Sequence, residues 1–278
     1  MKLNHFILAN IFKVFGGYVR NKSRFRILNV HDILYNDFDK LEKILINLKK
    51  NWEFIDPLKL NELNNRINKN YLLLTFDDGY KSQKIFADKI LNKHNIKAIF
   101  FIVTNFLNCK DQNAAKEFVS KNIDKNIKGN LDRYKEVDNM NNEDLMNLKS
   151  NNHVIGSHTV NHKKLTKIKD VKELEFEICD SKKKLENLLS CSVDYFAYTY
   201  GDIGSINKNV LSIIKKNYKN IFSGIRGDNF LNGSHRILFR DELSPHYSID
   251  LVNSFLSGYS DLYYYKNRKY LLSLDKNV

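Results

Sequence analysis

Cysteine, proline and long apolar runs are all scarce in this chain of 278 residues, which has three cysteines and two prolines. The cysteines, Cys109, Cys179 and Cys191, are odd in number and fit neither a zinc knuckle nor a Cys-x-x-Cys redox pair. We therefore expect free thiols in a reducing compartment. Because Pro57 and Pro245 are the only prolines, no proline-rich linker divides the chain.

No apolar run near the N-terminus is long enough to cross a bilayer. Residues 1–24 place apolar side chains at helical spacing, but Asn10 and Lys13 interrupt them, and no small-residue cleavage site follows. We expect this N-terminal amphipathic segment to dock on the domain that follows it, with peripheral contact to an anionic membrane as the alternative. A cytoplasmic or membrane-peripheral location is favoured, and an extracytoplasmic one stays open.

The formal net charge of +13 raises the question of a nucleic-acid partner. Lysine and asparagine are spread over the whole chain, the lysines form no compact patch in the sequence, and no nucleic-acid motif is present. We interpret the charge as a compositional bias and expect no nucleic-acid partner, although a basic surface would still favour anionic polymers. A hydrophobic content of 42% suits one large domain over residues 25–278.

The stretch from Leu72 to Tyr80 begins as an apolar run, typical of a strand buried on both faces, and ends in Asp77, Asp78 and Gly79. Two adjacent carboxylates both stay ionised only if a cation lies close by. Glycine adopts positive φ, which lets the chain turn and direct both side chains into a cleft. The plainer alternative is a strand followed by an Asp-Gly turn.

A second polar cluster follows about eighty residues later, where Val154-Ile155-Gly156-Ser157 leads into His158 and His162. On a helical turn the i, i+4 spacing would place both imidazoles on one side. Two histidines and one carboxylate form a ligand set that leaves coordination positions open for water and substrate. A His-x-x-x-His pair taken alone is also compatible with two ordinary surface or core histidines.

Together these motifs resemble the polysaccharide deacetylases, the NodB-homology or carbohydrate esterase 4 family. Residues 75–79 match the family's Thr-Phe-Asp-Asp-Gly motif, and residues 158–162 match its histidine motif. Residues 196–201 match Phe-Ala-Tyr-Pro-Tyr-Gly except that Thr199 replaces proline. The resemblance implies an α/β fold, a distorted (β/α)7-8 barrel with the site at the carboxyl ends of its strands.

The order of predicted elements independently supports an α/β class. An apolar strand from Leu72, an amphipathic stretch over 81–94 and a continuous apolar run over 98–103 give a strand-helix-strand alternation. Residues 104–140 are polar and weakly periodic, and we interpret them as an insertion on the site face. They could form a substrate-binding lid or a solvent loop without function.

The resemblance also implies roles for individual residues. Asp78, His158 and His162 would hold one divalent metal, with zinc the first choice and cobalt, nickel or manganese also compatible. Asp77 would be the general base, and the backbone N–H of Tyr200 would stabilise the oxyanion.

His31 is the candidate general acid. The stretch from Phe25 to Asp32 is predicted to be a strand that ends in His-Asp, similar to the Tyr-His-Asp of the poly-N-acetylglucosamine deacetylases, whose motifs are circularly permuted. A structural histidine with a local hydrogen bond is the alternative.

One departure from the family concerns the arginine that often pairs with the base, because this chain has Ala197 at its position. Arg236 or Arg240 might replace it in space, and the sequence leaves the choice open.

The predicted function is metal-dependent removal of N-acetyl groups from amino sugars of a polysaccharide or of a lipid-linked oligosaccharide precursor. The alternatives are another carbon–nitrogen hydrolysis, such as sugar deformylation, and a non-catalytic carbohydrate-binding relative.

Overall fold

The computed structural model describes residues 24–62, 69–229 and 235–278. The amphipathic segment predicted over 1–24 lies outside these ranges apart from Arg24. In the described part of the chain no helix is both long enough and apolar enough to span a bilayer.

A curled parallel sheet forms the centre of the protein. The strands of the described residues are β1 (Phe25–Val30), β2 (Glu53–Phe54), β3 (Tyr71–Phe76), β4 (Ala98–Ile102), β5 (Val154–Ser157), β6 (Tyr195–Ala197), β7 (Asn220–Phe222), β8 (Ile237–Leu238) and β9 (Asp241–Glu242). Their order is β8-β7-β6-β5-β4-β3-β1-β9, and β2 also pairs with β3. This is the predicted α/β class and distorted (β/α) barrel.

Helices connect the strands and cover the outside of the sheet. They are α1 (Phe38–Leu48), α2 (Lys81–Phe86), α3 (Gln112–Phe118), α4 (Leu131–Glu136), α5 (Asn142–Ser150), α6 (Val171–Glu175), α7 (Ser181–Leu189), α8 (Lys208–Asn217), α9 (Ile249–Leu256) and α10 (Tyr265–Lys276). The segment predicted as one helix over 170–190 has a π-helical turn, Phe176–Asp180, between α6 and α7. The segment after Pro57 is a 3-10 helix, Pro57–Glu62.

The strands are buried on both faces, which explains why they read as continuous apolar runs. Alternate residues separate into two cores. Those facing the helices include Leu28, Leu74 and Phe100, and those facing the barrel interior include Ile27 and Leu73. Because side chains alternate, the interior row of β3 continues through Thr75 to Asp77 at the carboxyl end. The strand period therefore directs Asp77 into the mouth of the barrel.

Residues 237–242 bring the two ends of the sheet together. β8 pairs with β7 and β9 pairs with β1, while only Phe239 and Arg240 lie between β8 and β9. The guanidinium of Arg26 on β1 reinforces this seam through two hydrogen bonds of 2.8 and 2.7 Å to Asp241. The seam places the side chain of Arg240 inside the barrel, where it is 1% exposed.

Candidate metal centre and catalytic cleft

The structure brings together the three predicted metal ligands. Asp78, His158 and His162 are buried, and each offers one ligand atom within 4.8 Å of the others. Oδ1 of Asp78 lies 3.7 Å from Nε2 of His158 and 3.5 Å from Nε2 of His162. These distances leave room for a cation between the three atoms.

The hydrogen bonds around the three side chains fit a metal. The Nδ1 atoms of His158 and His162 lie 2.7 and 2.9 Å from the backbone carbonyls of Ala197 and Asn122, to which only a protonated Nδ1 can donate. That tautomer leaves both Nε2 lone pairs directed at Asp78. Oδ1 of Asp78 is buried and has no hydrogen-bond partner, so a bound cation would satisfy an otherwise unpaired buried atom.

The electrostatics indicate the same chemistry. Burial, opposed by the charge of His31 and reinforced by those of Asp77 and Asp32, raises the pKa of Asp78 to about 7. Burial lowers the pKa of His158 to about 3 and also lowers the pKa of His162. The imidazoles are therefore neutral, as metal ligands must be, and the Asp78 carboxylate lacks the positive charge that a divalent ion would supply.

The loop that carries the two histidines is not the helical turn expected from their spacing. It follows β5 directly, and Thr159 and His162 have positive φ values of 71° and 59°. Oγ1 of Thr159 accepts a hydrogen bond of 2.9 Å from the His162 amide. An irregular loop, rather than helical periodicity, places both imidazoles on one side.

Glu177, which none of the sequence motifs includes, holds this loop through hydrogen bonds. Its fully buried carboxylate accepts hydrogen bonds of 3.0 and 2.8 Å from the amides of Val160 and Asn161, and one of 2.7 Å from Nδ2 of Asn161. It lies in the π-helical turn, on the face that also buries Leu174 and Ile178. A carboxylate on the apolar face of an amphipathic helix is the sequence signal that could have identified it.

Asp77 has its own cationic partner. Arg240 donates bidentate hydrogen bonds of 2.7 and 2.9 Å to its two oxygens, and Nδ2 of Asn29 donates a third of 3.1 Å. Arg236 instead donates to the Lys215 carbonyl, so the structure selects Arg240 from the two arginines left open. Burial alone would raise the pKa of Asp77, but the guanidinium charge of Arg240 holds it well below its usual range.

His31 lies at the mouth of the cleft and directly follows the last residue of β1. Its side chain is 50% exposed, and its Nε2 atom is 3.9 Å from Oδ2 of Asp77. Nε2 of Gln83 donates to the backbone carbonyls of both His31 and Asp77, at 3.3 and 2.6 Å. This shared donor fixes the two strand ends relative to each other.

Tyr200 lies beside the metal ligands, with its ring 5.1 Å from that of His162. Its φ is 65°, and among the described residues its amide has no hydrogen-bond partner. The hydroxyl of Thr199, which replaces the proline of the family motif, donates a hydrogen bond of 2.6 Å to the Lys163 carbonyl. This hydrogen bond anchors the loop that carries Tyr200.

The site opens into a cleft of about 640 Å³. Residues 104–140 form one wall of it, with Asp124 and Arg133 among the lining residues. Arg133 bridges Asp124 and Asp32 at 3.0 and 3.3 Å, and Asn122 supplies the carbonyl that orients His162. The insertion packs against Tyr80 and Val103 in a small separate core, to which it contributes Phe106, Ala115, Val119, Ile127 and Val137. It is therefore a packed wall of the cleft rather than a loop extending into solvent.

Comparisons with known proteins give a family match and similar solved structures. The family model for polysaccharide deacetylase matches residues 64–220. No match was found among curated protein sequences. The matched range includes the three candidate ligands, Asp77 and Tyr200, and it leaves out His31 and Arg240, which the fold alone brings to the cleft.

The fold is similar to those of solved deacetylase structures. Streptococcus pyogenes deacetylase PplD in complex with acetate has a TM-score of 0.64 at 20% identity, over 84% of this chain and 98% of that one. IcaB from Ammonifex degensii has 0.62 at 18%, over 85% and 98%. The de-N-acetylase from Aggregatibacter actinomycetemcomitans has 0.63 at 14%, over 84% and 100%.

Replacing Glu177 by glutamine should weaken metal binding. Glutamine keeps one oxygen acceptor but has an NH2 donor in place of the other, so the three hydrogen bonds from Val160 and Asn161 cannot all form. Loss of such outer hydrogen bonds typically lowers metal affinity by about 10- to 100-fold. Isothermal titration of the metal-free protein with Zn²⁺ measures this. Glu175→Gln, an exposed change on the same helix, is the matched control. Equal affinity in the two variants would contradict a positioning role for Glu177.

Replacing Arg240 by alanine should destabilise the fold strongly, because it leaves Asp77 buried without its cation. Removal of one partner of a buried pair typically costs about 3–5 kcal/mol. Arg236→Ala is the control and should cost about 1 kcal/mol. Urea unfolding at pH 7 gives both values.

The double change Asp77→Ala/Arg240→Ala should recover part of that loss, since no unpaired charge remains. Additive effects of the two single changes would show that the pair is not coupled.

Proposed function

The chain belongs to the polysaccharide deacetylase family, and from this premise and the geometry of the cleft we propose that it hydrolyses N-acetyl groups of polysaccharide amino sugars with the help of one divalent metal. As a family member it is a hydrolase of carbon–nitrogen bonds other than peptide bonds. The observation that carries the proposal is the arrangement of Asp78, His158 and His162 around an unpaired buried oxygen, beside the Asp77–Arg240 pair.

Asp78, His158 and His162 would hold the metal, with zinc the first choice for two imidazoles and one carboxylate. The ion would supply Lewis-acid chemistry, polarising an acetamide carbonyl and acidifying water. Two imidazole nitrogens and one carboxylate oxygen leave coordination positions free for both.

Asp77 is proposed as the general base. Arg240 keeps it ionised beside a second carboxylate and fixes the orientation of both its oxygens. The consequence of the lowered pKa is weaker basicity, but a carboxylate is available to accept a proton throughout the neutral pH range.

His31 is proposed as the general acid, because a poorly stable amine anion cannot leave without a proton. Its ring lies at the mouth of the cleft near Asp77, where it reaches both solvent and the space above the metal ligands. The amide of Tyr200, which has no partner among the described residues, is proposed as a donor to the developing oxyanion.

The substrate class proposed is an N-acetylated amino-sugar polymer. The cleft volume of about 640 Å³ lies within the range of small-molecule sites and suits a short stretch of sugar units. The comparisons give no support to a lipid-linked precursor or to membrane contact, and neither is part of the proposal.

Replacing His31 by glutamine should lower kcat for acetate release from N-acetylglucosamine oligomers by about 10²- to 10⁴-fold. The loss should be smaller with 4-nitroacetanilide, because its electron-poor aryl amide anion is a better leaving group and depends less on proton donation. Asp77→Asn should abolish turnover of both substrates, since both require proton removal from water. Acetate released by the zinc-loaded protein is the measurement.

His94→Gln is the control for these variants, since His94 pairs with Glu42 on the outside of the barrel. An equal loss of kcat with the oligomer and with 4-nitroacetanilide would show that His31 is not the general acid. Release of formate from an N-formyl sugar, without release of acetate from the N-acetyl oligomer, would instead indicate that the enzyme is a sugar deformylase.

A further inference from the structure

A second groove adjoins the catalytic cleft and has the opposite charge. We call it the lysine groove. It has a volume of about 540 Å³ and shares His162 and Tyr200 with the cleft. Its lysines are Lys121, Lys125, Lys163, Lys164, Lys167 and Lys169.

The density of lysine here exceeds the background of the chain. Six of the thirteen lining residues are lysine, whereas lysine and arginine together make up 45 of 278 residues overall. Lys121 and Lys125 lie about forty residues before the other four lysines, which fall within residues 163–169. The fold collects both groups beside the loop that carries His162, so the expectation of an unpatterned surface charge is wrong at this place.

Three of the six lysines are paired with carboxylates and three are not. Lys121 pairs with Glu117 and Lys164 pairs with Asp202, and neither of these carboxylates lines the groove. The groove is lined by two others, Asp170 and Glu173; Glu173 pairs with Lys163 at 2.6 Å, and Asp170 caps α6 by accepting from the Lys172 amide. Three exposed lysines, Lys125, Lys167 and Lys169, have no acidic partner among the described residues. Their summed field attracts anions and is screened by salt.

The cleft itself is acidic, which restricts where an anionic group of a substrate could lie. Its lining includes six carboxylates and two arginines, Arg133 and Arg240, both already paired with aspartate. Tyr200 stands at the border, with its ring against His162 and with Nζ of Lys164 5.6 Å from the ring centre. If the acetamide of a substrate lay beside His162, the next sugar of the same substrate would therefore lie at the lysine groove.

We propose that the lysine groove binds an anionic group of the substrate, a phosphate or a carboxylate carried by the sugar next to the one that is deacetylated. This rests on the proposed function and narrows its substrate class to anionic N-acetylated glycans. Lysine suits this role because its ammonium group binds phosphate or carboxylate as a point charge without requiring one fixed geometry.

The test compares three matched N-acetylglucosamine oligomers, one neutral, one phosphorylated and one carrying a carboxylate. We expect kcat/KM at low salt to be about tenfold higher for at least one anionic oligomer, and the preference to decline as salt rises. The phosphate and carboxylate arms identify which anion is preferred. Equal kcat/KM for all three oligomers would overturn the proposal.

The triple variant Lys125→Gln/Lys167→Gln/Lys169→Gln should bring the anionic-to-neutral ratio of kcat/KM close to one. The control Lys50→Gln/Lys89→Gln/Lys276→Gln removes the same charge from exposed lysines that do not line the groove and should leave that ratio unchanged. A ratio that falls equally in both variants would mean a general charge effect and would refute a specific groove.

Direct binding separates failure of this proposal from failure of the proposed function. Zinc-loaded Asp77→Asn protein should bind the anionic oligomer more tightly than the neutral one by fluorescence anisotropy, even if no oligomer releases acetate. Equally tight binding of a short RNA would instead assign the groove to polyanions in general, against a glycan site.

Discussion

The structure depends on one electrostatic constraint, which is that Asp77 and Asp78 stand side by side at the end of a buried strand. Adjacent buried carboxylates remain ionised only if each has its own positive charge. Arg240 supplies the charge for Asp77 through two hydrogen bonds. Asp78 has two neutral imidazoles beside it and an oxygen without a hydrogen-bond partner, so a bound cation would supply the positive charge that its carboxylate lacks.

The barrel is built so that these partners meet. Alternation along β3 directs Asp77 inward. The positive φ of Asp78 turns its own side chain toward the histidine loop. Arg240 reaches Asp77 because residues 237–242 join the two ends of the sheet. The same closure buries Arg26 against Asp241. The same seam thus closes the barrel and brings Arg240 to Asp77.

Local motifs in the sequence carried most of the site. Asp77, Asp78, His158 and His162 follow apolar runs typical of buried parallel strands, so their convergence at one edge of the sheet was predictable. Their roles in catalysis stay predictions. The choice between Arg236 and Arg240 was not predictable, because it depends on how a short seam strand is placed against β1. The helical turn expected for the histidines was wrong because positive φ values are not visible in an i, i+4 spacing.

The most direct test is X-ray absorption spectroscopy of the zinc-loaded protein. We expect one ion per chain with two imidazole nitrogens and at least one carboxylate oxygen at about 2.0–2.2 Å, and no sulfur ligand. The same spectrum from His158→Ala protein should show the loss of one imidazole or no bound ion. A protein that binds no stoichiometric metal, or a ligand shell without imidazole, would contradict a metal site formed by Asp78, His158 and His162.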